Sequence, residues 1–178
     1  MGGLVLLSSS CLKDSRYVNY GADAPLAEFP LAEVNPYQPG GSAGAYQPIA
    51  FSDTTTSYTL TVAVKVAAPK ALTSATVFTI SATDATGLTN YNTANSTAYV
   101  ALPAADYSIP GGLNVTVQSG KYIKYFKVII NSAGIADIKN GASAPTPISY
   151  VLPLTIENAG GIQIATPEKY LLYNFSTF

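Results

Sequence analysis

Chemistry needs reactive side chains, and this sequence is short of them. It has no histidine and a single cysteine, Cys11. Proton transfer through an imidazole, as in Ser-His-Asp and Cys-His hydrolases, is excluded. So are ordinary zinc sites, which draw on Cys and His. One thiol cannot form an internal disulfide. What remains is ten carboxylates, nine basic residues and thirteen tyrosines.

Cys11 carries the most definite chemistry. It closes an apolar run, Leu4-Val5-Leu6-Leu7, and three small residues, Ser8-Ser9-Ser10; the chain then turns polar at Lys13-Asp14-Ser15-Arg16. That order is the end of a bacterial lipoprotein signal peptide, although Met1-Gly2-Gly3 lacks the basic residue such a segment starts with. Residues 1–10 are then a signal-peptide remnant, and Cys11 is the acylated first residue of the mature chain. Lipid on Cys11 is the expected membrane contact, and the outer membrane, facing outward, the expected location. The bland alternative is a short buried strand in which the thiol packs as a small hydrophobe.

The carboxylates admit two kinds of chemistry. Glycoside hydrolysis needs two of them about 5–10 Å apart, one with a raised pKa. Asp84 and Asp106 are the pair a sandwich would have to unite, but both sit beside turn residues, where Asp commonly bonds nearby backbone. The expectation is therefore no enzyme. Calcium needs several hard oxygen ligands; Asp106-Tyr107, with Asp53 and Asp84, is too sparse, so no metal and no cofactor are expected.

Tyrosine suits sugar binding, having an apolar body and a polar handle. Tyr91, flanked by Asn90 and Asn92, reads as the best loop cluster, with Tyr37 and Tyr46 around Gly40-Gly41 and Gly44 as a second. Against this, Tyr99, Tyr107, Tyr150 and Tyr170 fit strands that pack or cap a core.

The elements that must position these residues are strands. A length of 178 residues suggests one domain. Charged residues are 11% of the chain and net charge is −1. No run of basic residues marks a nucleic-acid partner. After residue 10 nothing approaches the roughly 18 apolar residues of a transmembrane helix. Residues 11–57 are broken by Pro25, Pro30, Pro36, Pro39 and Pro48 and read as a tether, with short edge strands at 17–20 and 29–34 and a loop at 35–48. From Tyr58 the pattern alternates: Leu60, Val62, Val64 and Val66 share one face. Further strands are expected at 76–80, 97–100, 107–109, 113–117, 122–130, 148–156, 162–165 and 170–175. Asp84 to Gly87 reads as a turn and Asn131 to Ala144 as polar chain with one helical turn near Ile135. Pro153 cannot donate to a ladder, which predicts an edge or a bulge there. Many short strands at this spacing predict an all-β, immunoglobulin-like antiparallel β-sandwich, with its core in residues 58–178 behind the irregular Pro/Gly-rich segment.

The order of motifs is informative: Tyr91-Asn92, then Tyr99-Val100-Ala101-Leu102-Pro103, Asp106-Tyr107-Ser108-Ile109, and Ser149-Tyr150-Val151-Leu152-Pro153-Leu154-Thr155-Ile156. Across residues 14–175 it resembles the DUF1735 family of Bacteroidetes lipoproteins, also described as the BT_3987-like N-terminal domain. The resemblance implies an immunoglobulin-like sandwich on a surface lipoprotein. It also implies company with glycan-uptake systems of the SusC/SusD type, hence a polysaccharide or oligosaccharide partner. Some members precede a glycoside hydrolase or carbohydrate-binding domain, so no catalytic residue carries over. The alternative is a structural or adhesive surface module without a glycan site.

Overall fold

A computed structural model describes residues 24–33, 45–52 and 54–177. Cys11, Tyr37 and the expected edge strand at 17–20 lie outside the described residues, and of Tyr46 only the backbone is described. Among the described residues eleven strands run in the order β1 (Leu26–Glu28), β2 (Ala45–Phe51), β3 (Tyr58–Ala67), β4 (Thr76–Ser81), β5 (Val100–Ala101), β6 (Tyr107–Ser108), β7 (Asn114–Val117), β8 (Ile123–Ile130), β9 (Tyr150–Asn158), β10 (Gln163–Ile164) and β11 (Tyr170–Thr177). Three α-helices among the described residues join them: α1 (Pro30–Glu33), α2 (Ala85–Asn95) and α3 (Ser132–Ala142). One sheet has the order β10-β1-β3-β8-β6. The other runs β2-β11-β9-β4-β7, with β5 added alongside β9.

The alternation read from sequence builds the core. Leu60, Val62, Val64 and Val66 of β3 and Phe126, Val128 and Ile130 of β8 face Phe78 and Ile80 of β4, Leu152, Leu154 and Ile156 of β9 and Phe175 of β11 in one buried cluster. This is the all-β sandwich expected, and most pairs are antiparallel. Three are parallel: β1 with β10, β2 with β11 and β5 with β9.

The N-terminal part is more structured than a tether. Ala45 to Pro48, expected as loop, belongs to β2, which pairs with β11 from Ala45 to Phe51. Residues 30–33, expected as strand, form α1, with Pro30 at its first position, where the missing N–H costs nothing.

One eleven-residue helix replaces a segment read as a turn, and another extends the single helical turn expected near Ile135. Asp84 caps α2, its carboxylate accepting from Gly87 N at 2.9 Å. The α2 sequence is rich in Thr and Asn, which are poor helix formers. Tertiary contact compensates: Leu88 and Tyr91, three residues apart, pack with Val151 and Leu172 on the outer face of the second sheet. That cover is why β9 is buried on both faces from Val151 to Ile156, not on one as alternation implied. In α3, capped by Asn131, Ile135 and Ile138 reach the main core. Gly134 lets this helix approach; a Cβ there would meet the Asp106 carbonyl oxygen at 2.5 Å.

Pro153 lies in an interior strand, where neither an edge nor a bulge at that residue accommodates it. Leu102 N donates to Val151 O, so odd-numbered residues of β9 point away from β11. On that side β5 ends at Val151 and β4 begins at Thr155. The missing N–H of Pro153 thus falls in the gap between two partner strands. The register irregularity of β9 comes later, between its pairs with Thr79 and Ile80.

Candidate functional site

The aromatic cluster singled out from sequence is not a loop platform. Tyr91 lies within α2, its residue surface only 5% exposed, and its ring stacks on Tyr99 with centroids 5.9 Å apart. Asn92 is consumed in the turn that follows: Nδ2 donates to Tyr99 O, while Oδ1 accepts from Thr97 Oγ1 at 2.8 Å and Tyr99 N at 3.0 Å. Asn90 is exposed on the same helix. Burial of an aromatic pair is how a helix of such weak propensity is held on its sheet. Beside it is a shallow apolar depression of about 230 Å³, including the solvent at its mouth, lined by Gly87, Leu88, Pro153, Tyr170 and Leu172.

The acids expected near turns have separate employment. Asp84 accepts from Gly87 N and, through Oδ2, from Thr155 Oγ1 at 2.9 Å. Asp106 ends a 3-10 turn under α3, where it is 5% exposed and faces Asp137. Its Oδ2 has no hydrogen-bond partner among the described residues. Burial pushes its pKa up, and the Asp137 carboxylate, by charge and by hydrogen bonding, pushes it further the same way. Among the described residues no three Asp, Glu, Cys or His side chains are grouped to hold a metal. Nor is any helix among them long and apolar enough to cross a membrane.

The open aromatic surface is on the other sheet. Tyr125 of β8 is 57% exposed. The β3–β8 register sets Ala63 opposite it, with Lys65 opposite Ile123 and Thr61 opposite Lys127. A small residue across the strand leaves the ring uncovered. Ile123, Tyr125 and Lys127 share the outer face, since side chains alternate and Phe126 and Val128 point into the core. On the side away from β3, β8 pairs only with β6, at Ile129 and Ile130. Among the described residues its edge from Ile123 to Val128 has no strand beside it. Tyr122, just before β8, is also exposed. Sequence reasoning passed over Tyr125, although the face shared by Phe126, Val128 and Ile130 already placed it outside.

These features define an immunoglobulin-like β-sandwich domain with one helix-covered sheet and one sheet that presents an open aromatic strand. A family model for an N-terminal domain matches residues 36–163, well over half of the sequence. The chain belongs to the DUF1735 family. Its fold is similar to that of a candidate carbohydrate-binding protein of Bacteroides ovatus, at TM-score 0.59 and 16% identity, over 85% of this chain and 36% of that one. A multidomain protein including DUF1735 from the same species gives TM-score 0.58 and 15% identity, over 88% and 46%. EndoBT-3987 of Bacteroides thetaiotaomicron, solved with a Man5GlcNAc product, gives TM-score 0.56 and 19% identity, over 74% and 28%. The chain thus spans less than half of each of these proteins. No curated protein matches the sequence.

Proposed function

We propose that this is a non-enzymatic, lipid-anchored outer-membrane protein that binds or presents glycan at the cell surface through the outer face of β8, beside an uptake complex of the SusC/SusD type. The observation that carries the reading is Tyr125, an exposed ring on a rigid strand with only Ala63 across from it. Such a ring offers the C–H face of a sugar an apolar plane, with the phenol as a polar handle. The carbohydrate-binding description of one structural relative and the oligosaccharide product held by another support the substrate class. The employment of Asp84 in capping supports a binding role over hydrolysis.

A glycan array with the soluble domain tests this. Tyr125→Ala should weaken any binding by roughly five-fold or more, in line with aromatic contacts worth about 1 kcal/mol, and leave Tm unchanged. Unaltered affinity removes Tyr125 from the site, and silence across plant and host polysaccharides sinks the reading. For the anchor, Cys11→Ala should move the protein from the membrane fraction to the soluble one; retention in the membrane fraction rules out the lipid. The second reading, a structural or adhesive module, rests on the open edge of β8. Exposed Lys124 and Lys127 on that edge count against strand pairing there, because charged side chains guard such edges.

A further inference from the structure

Acidic residues are absent from two long stretches of the sequence. From Tyr58 to Thr83 and from Tyr107 to Ala136 the sequence contains no Asp or Glu. Within those stretches lie Lys65, Lys70, Lys121, Lys124 and Lys127, five of the nine basic residues. Folding sets β3 beside β8, so these acid-free stretches become neighbours. Their connecting turns meet as well: Gly120 N donates to Leu72 O, and Ser119 Oγ to Thr73 O. Lys65 is ion-paired with Glu28 of β1. Lys70, Lys121, Lys124 and Lys127 are exposed, and no acid is paired with them among the described residues. The basic surface that no run of sequence announced is assembled by strand pairing.

We propose that the free edge and outer face of β8 take an anionic polysaccharide, one whose sugars carry carboxylate or sulfate groups. The inference rests on the glycan reading above and narrows its substrate class. Lys121, in the turn before β8, and Lys124 and Lys127, within it, line one stretch of chain beside the free edge. Several separate positive charges along one edge match a polymer with repeated charge better than a lone small anion. Tyr125 shares the outer face with Lys127, two residues on, so a sugar ring stacked on it turns its acidic substituents toward that ammonium group, while Lys124, of opposite parity, stands at the free edge. The overall charge of −1 adds nothing to the attraction of an anion, so the attraction must be local.

Affinity electrophoresis and calorimetry of the full chain, with polygalacturonate, chondroitin sulfate, yeast mannan and neutral xylan as probes, test this. The expected result is binding of polygalacturonate or chondroitin sulfate at least ten-fold tighter than of either neutral glycan. The two anionic arms tell carboxylate from sulfate recognition. Affinity should fall several-fold between about 50 and 300 mM salt, because exposed charges are screened. Lys124→Gln combined with Lys127→Gln should cost roughly five-fold or more for the anionic glycan, with Tm unchanged. Equal, salt-insensitive binding of neutral and anionic glycans overturns the inference and leaves glycan binding standing. Binding of no glycan overturns both. Equal affinity for duplex DNA or for vesicles of phosphatidylglycerol, lost in the same double variant, overturns the assignment to polysaccharide.

Discussion

Asp106 and Asp137 show what a single buried carboxylate does to stability. Asp106 is nearly enclosed, and its pKa is raised from 3.8 first by burial and then by Asp137. A raised carboxyl binds its proton more tightly in the folded state than in the unfolded one. Its ionised form therefore costs stability at neutral pH. That cost disappears as pH falls through the raised value toward 3.8, where the unfolded chain also takes up the proton. Asp137→Asn removes the repelling charge and should raise Tm at pH 7, by an amount that shrinks on acidification toward about pH 4. Identical thermal transitions for the two proteins at neutral pH would refute this. Tyr125 and Tyr91 give the other lesson of this scale. Both are aromatic residues in polar surroundings, and local sequence ranked Tyr91 first because asparagines flank it. What decides exposure is the neighbour across the fold: Ala63 leaves one ring open, while Tyr99 covers the other.

At the scale of elements, strands were legible and helices were not. β3, β7 and β8 follow from alternation, since a half-buried strand must alternate, and β4 from its β-branched residues. α2 has no such signature: only Leu88 and Tyr91 among its residues are buried, and its composition favours turns. It persists through its cap and its contact with β9 and β11. Asp84 both caps α2 and accepts from Thr155 of β9, so it pins the helix to the sheet. Asp84→Ala should therefore cost about 1–2 kcal/mol in chemical denaturation, the range for loss of an N-cap. A cost under a few tenths would show that packing alone holds α2. Similarly, the continuous burial of β9 was hidden because the helix that covers its outer face was read as a turn.

For the whole molecule, the sandwich was legible and the meeting of distant segments was not. Pairing of β1 with β10, and of β2 with β11, joins chain stretches more than a hundred residues apart, which no local pattern encodes. The same blindness hid the basic surface, because the acid-free stretches that carry Lys65 and Lys127 meet only through the β3–β8 register. The candidate site was thus legible in kind, an exposed tyrosine beside polar groups, and not in place.

The parallel pairing of β2 with β11 has a mechanical side. In register from Ala45 with Leu171 to Phe51 with Thr177, the two strands run the same way. A pull applied before Ala45 and after Thr177 draws them in opposite directions along their length. The bridging hydrogen bonds are then loaded together in shear and do not open in succession. Single-molecule stretching between the chain ends should give a higher rupture force than pulling across the β2–β11 pair through residues placed opposite each other. Equal forces would mean that the load bypasses this pair. For a domain held at one end and exposed to flow, that geometry is a clamp.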